Sequence, residues 1–130
     1  MTELPQMTEK RQIHESSEEL QYQEAVSLME NGNARAKTKV AYYKLLGYGG
    51  GEVDKDEAVA LLEERVKDRD SDAMWMLGLC CEYGIGTEQD IKRAKLLYGR
   101  SRKARNDVGN CLWWNVKEGR GNAVLRLRGL

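Results

Sequence analysis

The chain is 130 residues long, the size of one domain, and its 41% hydrophobic and 32% charged residues allow a buried core with a polar surface. The formal net charge is zero, and no apolar run approaches the roughly 20 residues that a membrane-spanning helix requires. The N-terminus lacks an apolar stretch of signal-peptide length, and the single histidine, His14, has no zinc-type spacing to Cys80, Cys81 or Cys111. We therefore expect a cytoplasmic protein without membrane association, with reduced and mostly buried thiols.

Clusters of glycine, asparagine and aspartate divide the chain into six predicted helices. Residues 1–15 are polar without a firm pattern, and we expect them to form a flexible segment. The helices are predicted over residues 17–30, 36–46, 55–67, 73–83, 89–103 and 107–117. Residues 122–130 remain as an incomplete last helix or tail, so the predicted repeat domain spans residues 16–121.

Most of these helices carry apolar residues near one stripe at the 3.6-residue spacing of a helix that packs on one face. The predicted inward residues are Leu20, Ala25, Leu28 and Met29; Val40, Ala41, Tyr42 and Leu45; Ala58, Leu61, Leu62 and Val66; Ile91, Ala94, Leu97 and Tyr98; and Val108, Leu112, Trp113 and Val116. The fourth helix is apolar nearly all round except at Glu82, so we expect neighbours on more than one side of it.

The pattern of helix and turn repeats along the chain. Three helices share the spacing A-x-x-L, and their alanines (Ala25, Ala58 and Ala94) are 33 and 36 residues apart. The turn sequence 47–58 also aligns without a gap on 83–94, which places Asp54 on Asp90. Alanine allows two helices to approach closely, glycine permits the reversal between them, and aspartate caps the second helix. Helix pairs of this kind bury their apolar faces by stacking.

Residues 73–98 resemble the Sel-one-like repeat family, relatives of the tetratricopeptide repeats. The matching residues are Ala73, Leu77, Gly78, Gly84, Gly86, Thr87, Asp90, Ala94, Leu97 and Tyr98. Residues 37–62 match with Ala41 and Tyr42 in place of leucine and glycine, and a third unit from about Val108 has Trp113 in place of glycine. The resemblance implies an all-α, right-handed α-α solenoid of about three helix-turn-helix repeats. It also implies a non-catalytic scaffold or adaptor that holds other proteins.

The last repeat is incomplete, since only nine residues follow its turn. A solenoid normally ends on a polar cap, so an uncovered face at Trp113 and Trp114 would be adhesive. Residues 1–72 carry 16 acidic and 10 basic residues, whereas residues 73–130 carry 5 acidic and 11 basic residues. The hypotheses are that the chain is part of a longer protein or that it self-associates end to end.

Motifs that would point to catalysis or cofactor binding fit poorly. The glycines at 47–51 lack the lysine and the preceding strand of a phosphate loop, which favours a turn between helices. The acidic cluster at 54–57 lacks the spacing of a calcium loop, which favours a helix cap. Adjacent Cys80 and Cys81 on an apolar helix favour core packing over a redox pair. We expect no active site, cofactor or metal; a hydrolase remains the alternative that the family resemblance leaves open.

The predicted binding surface lies on the first helices of the pairs, which line the concave side of such stacks. A protein or peptide partner is expected to contact these side chains: Lys37, Tyr43, Lys44, Trp75, Leu79, Glu82 and Trp114. The opposing interpretation is that Trp75 packs between repeats. The seven bases between Lys92 and Arg105 offer nucleic-acid binding as a second alternative, but solvated helix face is the favoured interpretation.

Overall fold

The computed structural model describes residues 17–47 and 53–122, and it is helical throughout this part of the chain apart from caps and turns. The helices are α1 (Ser17–Glu30), α2 (Ala34–Leu46), α3 (Lys55–Lys67), α4 (Ser71–Tyr83), α5 (Ile91–Lys103) and α6 (Asp107–Lys117). The predictions for residues 1–16, for the glycines at 49–51 and for residues 123–130 lie outside the described residues.

Side-chain caps set the helix starts, and they account for the small differences from the predicted bounds. Asn33 accepts a hydrogen bond from the Ala36 amide, so α2 begins two residues earlier than predicted. Asp54 and Asp90 each accept from the amide three residues later, which confirms their predicted role at the second helix of a pair. Asp70 caps α4 in the same way and moves its start back to Ser71.

The helices pack in sequence order into a repeat solenoid. α2 pairs with α3 and α4 pairs with α5, while α1 packs on α2 and α6 packs on α5. α4 contacts α3, α5, α6 and, more weakly, α2, which confirms the expectation that it has neighbours on several sides. The all-α architecture predicted from the repeats is therefore correct.

Small residues allow the two helices of the central pair to approach closely. Ala94 is fully buried, and Gly78 on α4 faces the ring of Tyr98 on α5. A Cβ atom at Gly78 would lie 2.5 Å from Tyr98 Cε1, so only glycine fits there without displacing the ring. The glycine turn after α4 closes against the start of α3, because a Cβ on Gly86, at φ +67°, would lie 2.6 Å from the Lys55 carbonyl oxygen.

Four of the predicted inward residues are instead exposed. Leu20 and Leu28 on α1 are 58% and 50% exposed, because no described helix covers that side of α1. Ile91 and Val108 are exposed because they lie in the first turns of α5 and α6, at the margins of the packed faces. Periodic spacing of apolar residues thus identifies the side of a helix that can pack. A residue on that side is buried only where a neighbouring helix lies beside it.

Candidate protein-binding surface

A shallow groove runs between the first helices of the two pairs. We call it the α2–α4 groove; it is lined by Tyr42, Leu45, Leu46, Trp75, Met76 and Leu79. Leu45 and Leu79 are buried and form its floor, while the other four side chains are half-buried. Its enclosed volume is only about 10 Å³, so it is an apolar strip for a side chain to lie on and not a deep ligand pocket.

The groove continues into a larger polar cleft at the corner between α3 and α4. This corner cleft has a volume of about 640 Å³ and is lined by Arg35, Thr38, Lys39, Tyr42, Arg65, Asp68, Arg69, Asp70, Ser71, Asp72 and Met76. Tyr42 and Met76 line both spaces, so the apolar strip and the polar cleft form one continuous surface.

Hydrogen bonds from three helices build the wall of the corner cleft. The Thr38 hydroxyl on α2 donates to Asp70 Oδ2 at 2.7 Å, and Nη2 of the buried Arg65 on α3 donates to the same oxygen at 3.2 Å. Asp70 Oδ1 accepts from the Asp72 and Ala73 amides at the start of α4. Burial opposes ionisation of Asp70, but these hydrogen bonds outweigh it and hold the Asp70 pKa below its usual value.

The rim of the corner cleft carries an excess of available positive charge. Arg35, Lys39 and Arg69 are exposed, and none of them forms an ion pair with another described residue. Of the three carboxylates in the same lining, Asp68 and Asp70 pair with Arg65, and Asp72 accepts hydrogen bonds from Trp75 Nε1 and Asn106 Nδ2. Three basic side chains therefore face solvent beside the apolar strip.

Comparison with known families and structures decides what kind of repeat builds this surface. The family model described as Sel1 repeat matches residues 34–64 and 71–106, together just over half of the chain. The chain belongs to the Sel1 repeat family. The matched segments correspond to α2–α3 and α4–α5, and α6 follows as the third predicted unit's only described helix. Sel1 repeats generally mediate interactions between proteins.

A solved structure supports the same fold. The crystal structure of a Sel1 repeat protein from Oxalobacter formigenes matches with a TM-score of 0.66 and 23% sequence identity, over 73% of this chain. At that identity the likeness shows the fold alone. This chain spans 38% of the length of that protein. Comparison with curated proteins gave no match.

Among the predicted binding residues, Trp75 is the one that lines the groove with an accessible side chain. Its ring is half-buried between the two Sel1 repeats, and its Nε1 donates to Asp72 Oδ1 at 2.9 Å. The two interpretations of Trp75 are therefore not exclusive, since one part of the ring packs towards α2 while another faces solvent.

The predicted residues of α2 lie away from this groove. Lys37 pairs with Glu64 on α3 at 2.8 Å, and Lys44 pairs with Glu57 on α3 at 3.1 Å. The Lys37 contact lowers the pKa of Glu64; burial opposes the charge of Lys44, but hydrogen bonds to Glu57 and Tyr22 raise its pKa overall. Tyr43 packs edge-on against Tyr22 of α1, with ring centroids 5.9 Å apart. These residues join helices within the solenoid.

The expectation that Leu79 and Glu82 are exposed is wrong. Leu79 is buried against α2, and Glu82 is buried beneath the turn that follows α6. Glu82 Oε1 accepts from the Tyr98 hydroxyl at 2.7 Å and from Asn122 Nδ2 at 2.9 Å, while its Oε2 accepts from the Asn122 amide. Burial, followed by the hydrogen bond to Glu82, raises the pKa of Tyr98. This carboxylate therefore anchors the end of the described chain.

Trp114 lies at the far end of the solenoid from the groove and is 39% exposed. It meets Trp113 edge to face at 4.9 Å, and both rings lie under the cations of Arg102 and Lys117 at 4.5 to 5.7 Å. We call these four side chains the terminal aromatic cluster. It forms a second accessible surface, separate from the α2–α4 groove.

The cysteines and the basic helix α5 were the remaining sequence candidates, for redox chemistry and for nucleic-acid binding respectively. Cys80 and Cys81 are free and buried, and burial raises the pKa of both thiols, that of Cys80 to about 12. The third thiol, that of Cys111, is exposed, so the thiols are mostly buried, as predicted. No three His, Cys, Asp or Glu side chains of residues 17–47 and 53–122 are grouped to hold a metal. On α5, Arg93 is engaged by Glu63.

None of the described helices is long and apolar enough to cross a membrane.

Sequence reasoning did not select the basic rim or the groove residues Tyr42, Leu46 and Met76. One signal was available, because the repeat alignment that places Asp54 on Asp90 also places Lys39 on Trp75. Both are variable positions of a first helix, and in the structure both line the surface between the repeats. Arg69 had no comparable signal, since it lies in the connection between repeats.

Proposed function

We propose that the chain is an interaction module that binds a flexible, acidic segment of a partner protein along the α2–α4 groove. An apolar side chain of that segment would lie on Trp75 and Met76, and neighbouring carboxylates would face Arg35, Lys39 and Arg69. One observation carries the proposal: three exposed basic side chains that form no ion pair with another described residue stand at the end of a half-exposed apolar strip. Aromatic and arginine side chains are also the residues that most often dominate binding energy.

The packing behind the groove suits it to hold an extended chain. Thr38, Arg65 and Asp70 connect α2, α3 and α4, so the two walls of the groove are held at a set distance before a partner arrives. A preorganised surface spends less free energy on ordering its own side chains. The strip is shallow, so the partner is expected to be a segment that lies across it, with affinity shared between apolar contact and charge.

The test is selection from a library of short random peptides displayed on a carrier, followed by affinity measurement with synthetic peptides. We expect enriched sequences to combine an apolar residue with several acidic residues, and their affinity to fall as salt increases. Trp75→Ala should weaken binding by about 2 kcal/mol, roughly thirtyfold, as expected for a central aromatic contact. Arg69→Glu and Lys39→Glu should weaken it at least as strongly at low salt.

The matched control is Lys95→Glu, which reverses an exposed charge on α5, away from the groove. It should leave peptide affinity unchanged. Circular dichroism spectra identical to wild type are required of every variant. Selection of basic or purely apolar peptides would contradict the proposal. Loss of binding in Lys95→Glu with retention in Lys39→Glu would instead place the binding surface on the basic helix α5.

A further inference from the structure

The two ends of the solenoid present complementary halves of a helix pair. α1 has the A-x-x-L pattern of a second helix, with Ala25 and Leu28 in the positions of Ala94 and Leu97. Leu97 is 3% exposed in the core of the α4–α5 pair, whereas Leu28 is 50% exposed. Within the described residues, no first helix occupies the side of α1 that α4 occupies on α5. Leu20 and Leu28 are therefore exposed among the described residues, and Leu28 lines an open cleft between α1 and α2 together with Glu24.

The opposite end displays a first helix. α6 packs on α5 and, less extensively, on α4, and the described residues contain no second helix that would form a pair with α6. Trp113 takes the sequence position that Gly78 holds in α4, and its half-buried ring packs against Gly99 of α5. Two other apolar side chains of α6, Trp114 and Val108, are 39% and 44% exposed. The terminal aromatic cluster thus lies where a second helix would pack.

The charges at the two ends are opposite and of equal size. α1 contains four glutamates and no basic residue, whereas residues 100–120 contain six basic and two acidic residues. Arg102 and Lys117 lie directly on the tryptophan rings. Glu24 lies between Leu20 and Leu28 on α1, because residues four apart share a helix face. Leucines beside glutamates at one end therefore match tryptophans beside cations at the other.

The two positions equivalent to Gly78 and Tyr98 also carry side chains of the opposite relative size at the ends of the solenoid. In the α4–α5 pair the first helix contributes Gly78 and the second contributes the large Tyr98. At the two ends the first helix contributes the large Trp113, and α1 carries the smaller, flexible Met29 at the position of Tyr98. A pair formed from α6 and α1 would keep one large and one smaller partner at this contact, with the roles reversed.

We propose that α1 of one copy packs on α6 of a second copy as its second helix, which completes a composite repeat across the boundary between copies. Leu20 and Leu28 cover Trp113 and Trp114, and the glutamates of α1 face Arg102 and Lys117. The contact joins different surfaces of the two copies, so it continues into linear chains or closes into a ring. It leaves the apolar strip of the α2–α4 groove accessible, whereas Arg35 and Lys39 of the basic rim line the same α1–α2 cleft as Leu28. Assembly does not require a peptide in the groove.

Sedimentation velocity on the full chain tests this assembly across a concentration series at low and high salt. We expect dimers and larger species at low salt that dissociate towards monomer at high salt. Leu28→Asp and Trp114→Asp each remove one of the two surfaces, so each variant alone should be monomeric. An equimolar mixture should form a one-to-one dimer that grows no further, because one intact α1 meets one intact α6.

The matched control is Leu96→Asp, which places the same charge at a leucine that is also exposed but lies on α5 between the two ends. It should assemble like wild type. Should Trp114→Asp fail to fold by circular dichroism, Lys117→Glu and Glu24→Lys replace the pair; each weakens assembly alone, and their mixture restores it through the exchanged charges.

Three outcomes would overturn the proposal. The first is a wild-type chain that stays monomeric at every concentration and salt. If Leu28→Asp also lowers the thermal stability of that monomer, residues of the same chain cover α1. A mixture of the two variants that remains monomeric is the second. The third is full assembly by Trp114→Asp with none by Leu28→Asp, which would indicate a symmetric α1–α1 contact.

Discussion

The corner between α3 and α4 and the corner between α5 and α6 each lead from a second helix into the next first helix, and they share a backbone shape but differ in chemistry. Arg69 after α3 has φ +62°, and Arg105 after α5 has φ +61°, both in the left-handed region that side chains rarely adopt. Each is followed by the cap of the next helix, Asp70 in one corner and Asn106 in the other. The repeat therefore reproduces the turn even where no glycine is present to favour it.

The side chains around the two corners lead to different surfaces. At the first, ionised Asp70 holds buried Arg65 and Thr38, and a cleft of about 640 Å³ remains open beside them. At the second, the neutral amide of Asn106 donates to Ser71 Oγ and Asp72 Oδ1, with no ionised group as cap. The comparison teaches that backbone geometry follows the repeat, while charge and accessible space follow the residues that do not repeat.

Removing the cap residue of each corner should give the largest difference between the two corners in the free energy of unfolding. Asp70→Ala leaves the buried Arg65 guanidinium without its main partner and also uncaps α4, so we expect a loss of about 3 kcal/mol in the free energy of unfolding. Asn106→Ala removes a cap and the two hydrogen bonds that its amide donates to Ser71 and Asp72, and should cost about 2 kcal/mol. Urea unfolding of both variants measures the difference. Equal losses at the two corners would show that the charged network adds nothing beyond the cap and hydrogen bonds that Asn106 provides.

Low pH should reduce the stability that the corner between α3 and α4 contributes, because that corner depends on ionised Asp70. The Asp70 pKa is lowered in the folded chain, so the stability that its charge contributes is present above the unfolded pKa and is lost as pH falls through the folded value. Wild type should therefore exceed Asp70→Asn in stability near neutral pH, and the gap should narrow below about pH 4. Urea unfolding of both proteins through the acid range measures this gap.

Glu64, whose pKa is also lowered, is present in both proteins and contributes equally to each curve. Arg105→Gly serves as the control, because it changes a residue that stays charged throughout the acid range and forms no ion pair with another described residue, so its stability difference from wild type should stay constant. A gap for Asp70→Asn that does not change with pH would contradict the assigned role of its charge.

Glycine at the two positive-φ arginines should change the free energy of unfolding least, and the two variants should differ in peptide affinity. Arg69→Gly and Arg105→Gly relieve an unfavourable backbone conformation, and after allowing for the greater entropy of unfolded glycine each should stabilise the fold by about 0.5 kcal/mol. Only Arg69 lines the corner cleft, so only Arg69→Gly should weaken acidic peptide binding. Thermal unfolding and peptide affinity of the matched pair check both statements. Equal peptide affinity in the two variants would remove Arg69 from the proposed site.

Most of the architecture could be predicted because it depends on helix caps and on evenly spaced apolar residues. The alanines at 25, 58 and 94 are all buried, as their shared spacing predicted, and Asp54 and Asp90 both act as caps. A cap and its helix lie within four residues of each other, so no distant part of the chain needs to be known. The exposed Leu28 shows the limit of this reasoning, since its pattern is that of buried Leu97.

The residues of the candidate site were harder to predict from the sequence. Trp75 was selected and does line the groove, but Lys37 and Lys44 were selected for the same surface and pair with α3 instead. Position on a first helix is readable from the repeat, whereas the side of that helix left free depends on how its neighbours pack. The basic rim brings Arg35 and Lys39 of α2 together with Arg69 of a distant corner.

The sequence by itself determined the repeat, the helix order, the caps and the family, because each of these depends on residues close together or evenly spaced. Only the tertiary structure decided which side chains are accessible. Glu82 was predicted to face a partner, but it is buried because Asn122, 40 residues further along, closes over it and donates to both of its carboxylate oxygens. Contacts of that separation arise from the stacking of helices and leave no local pattern to read.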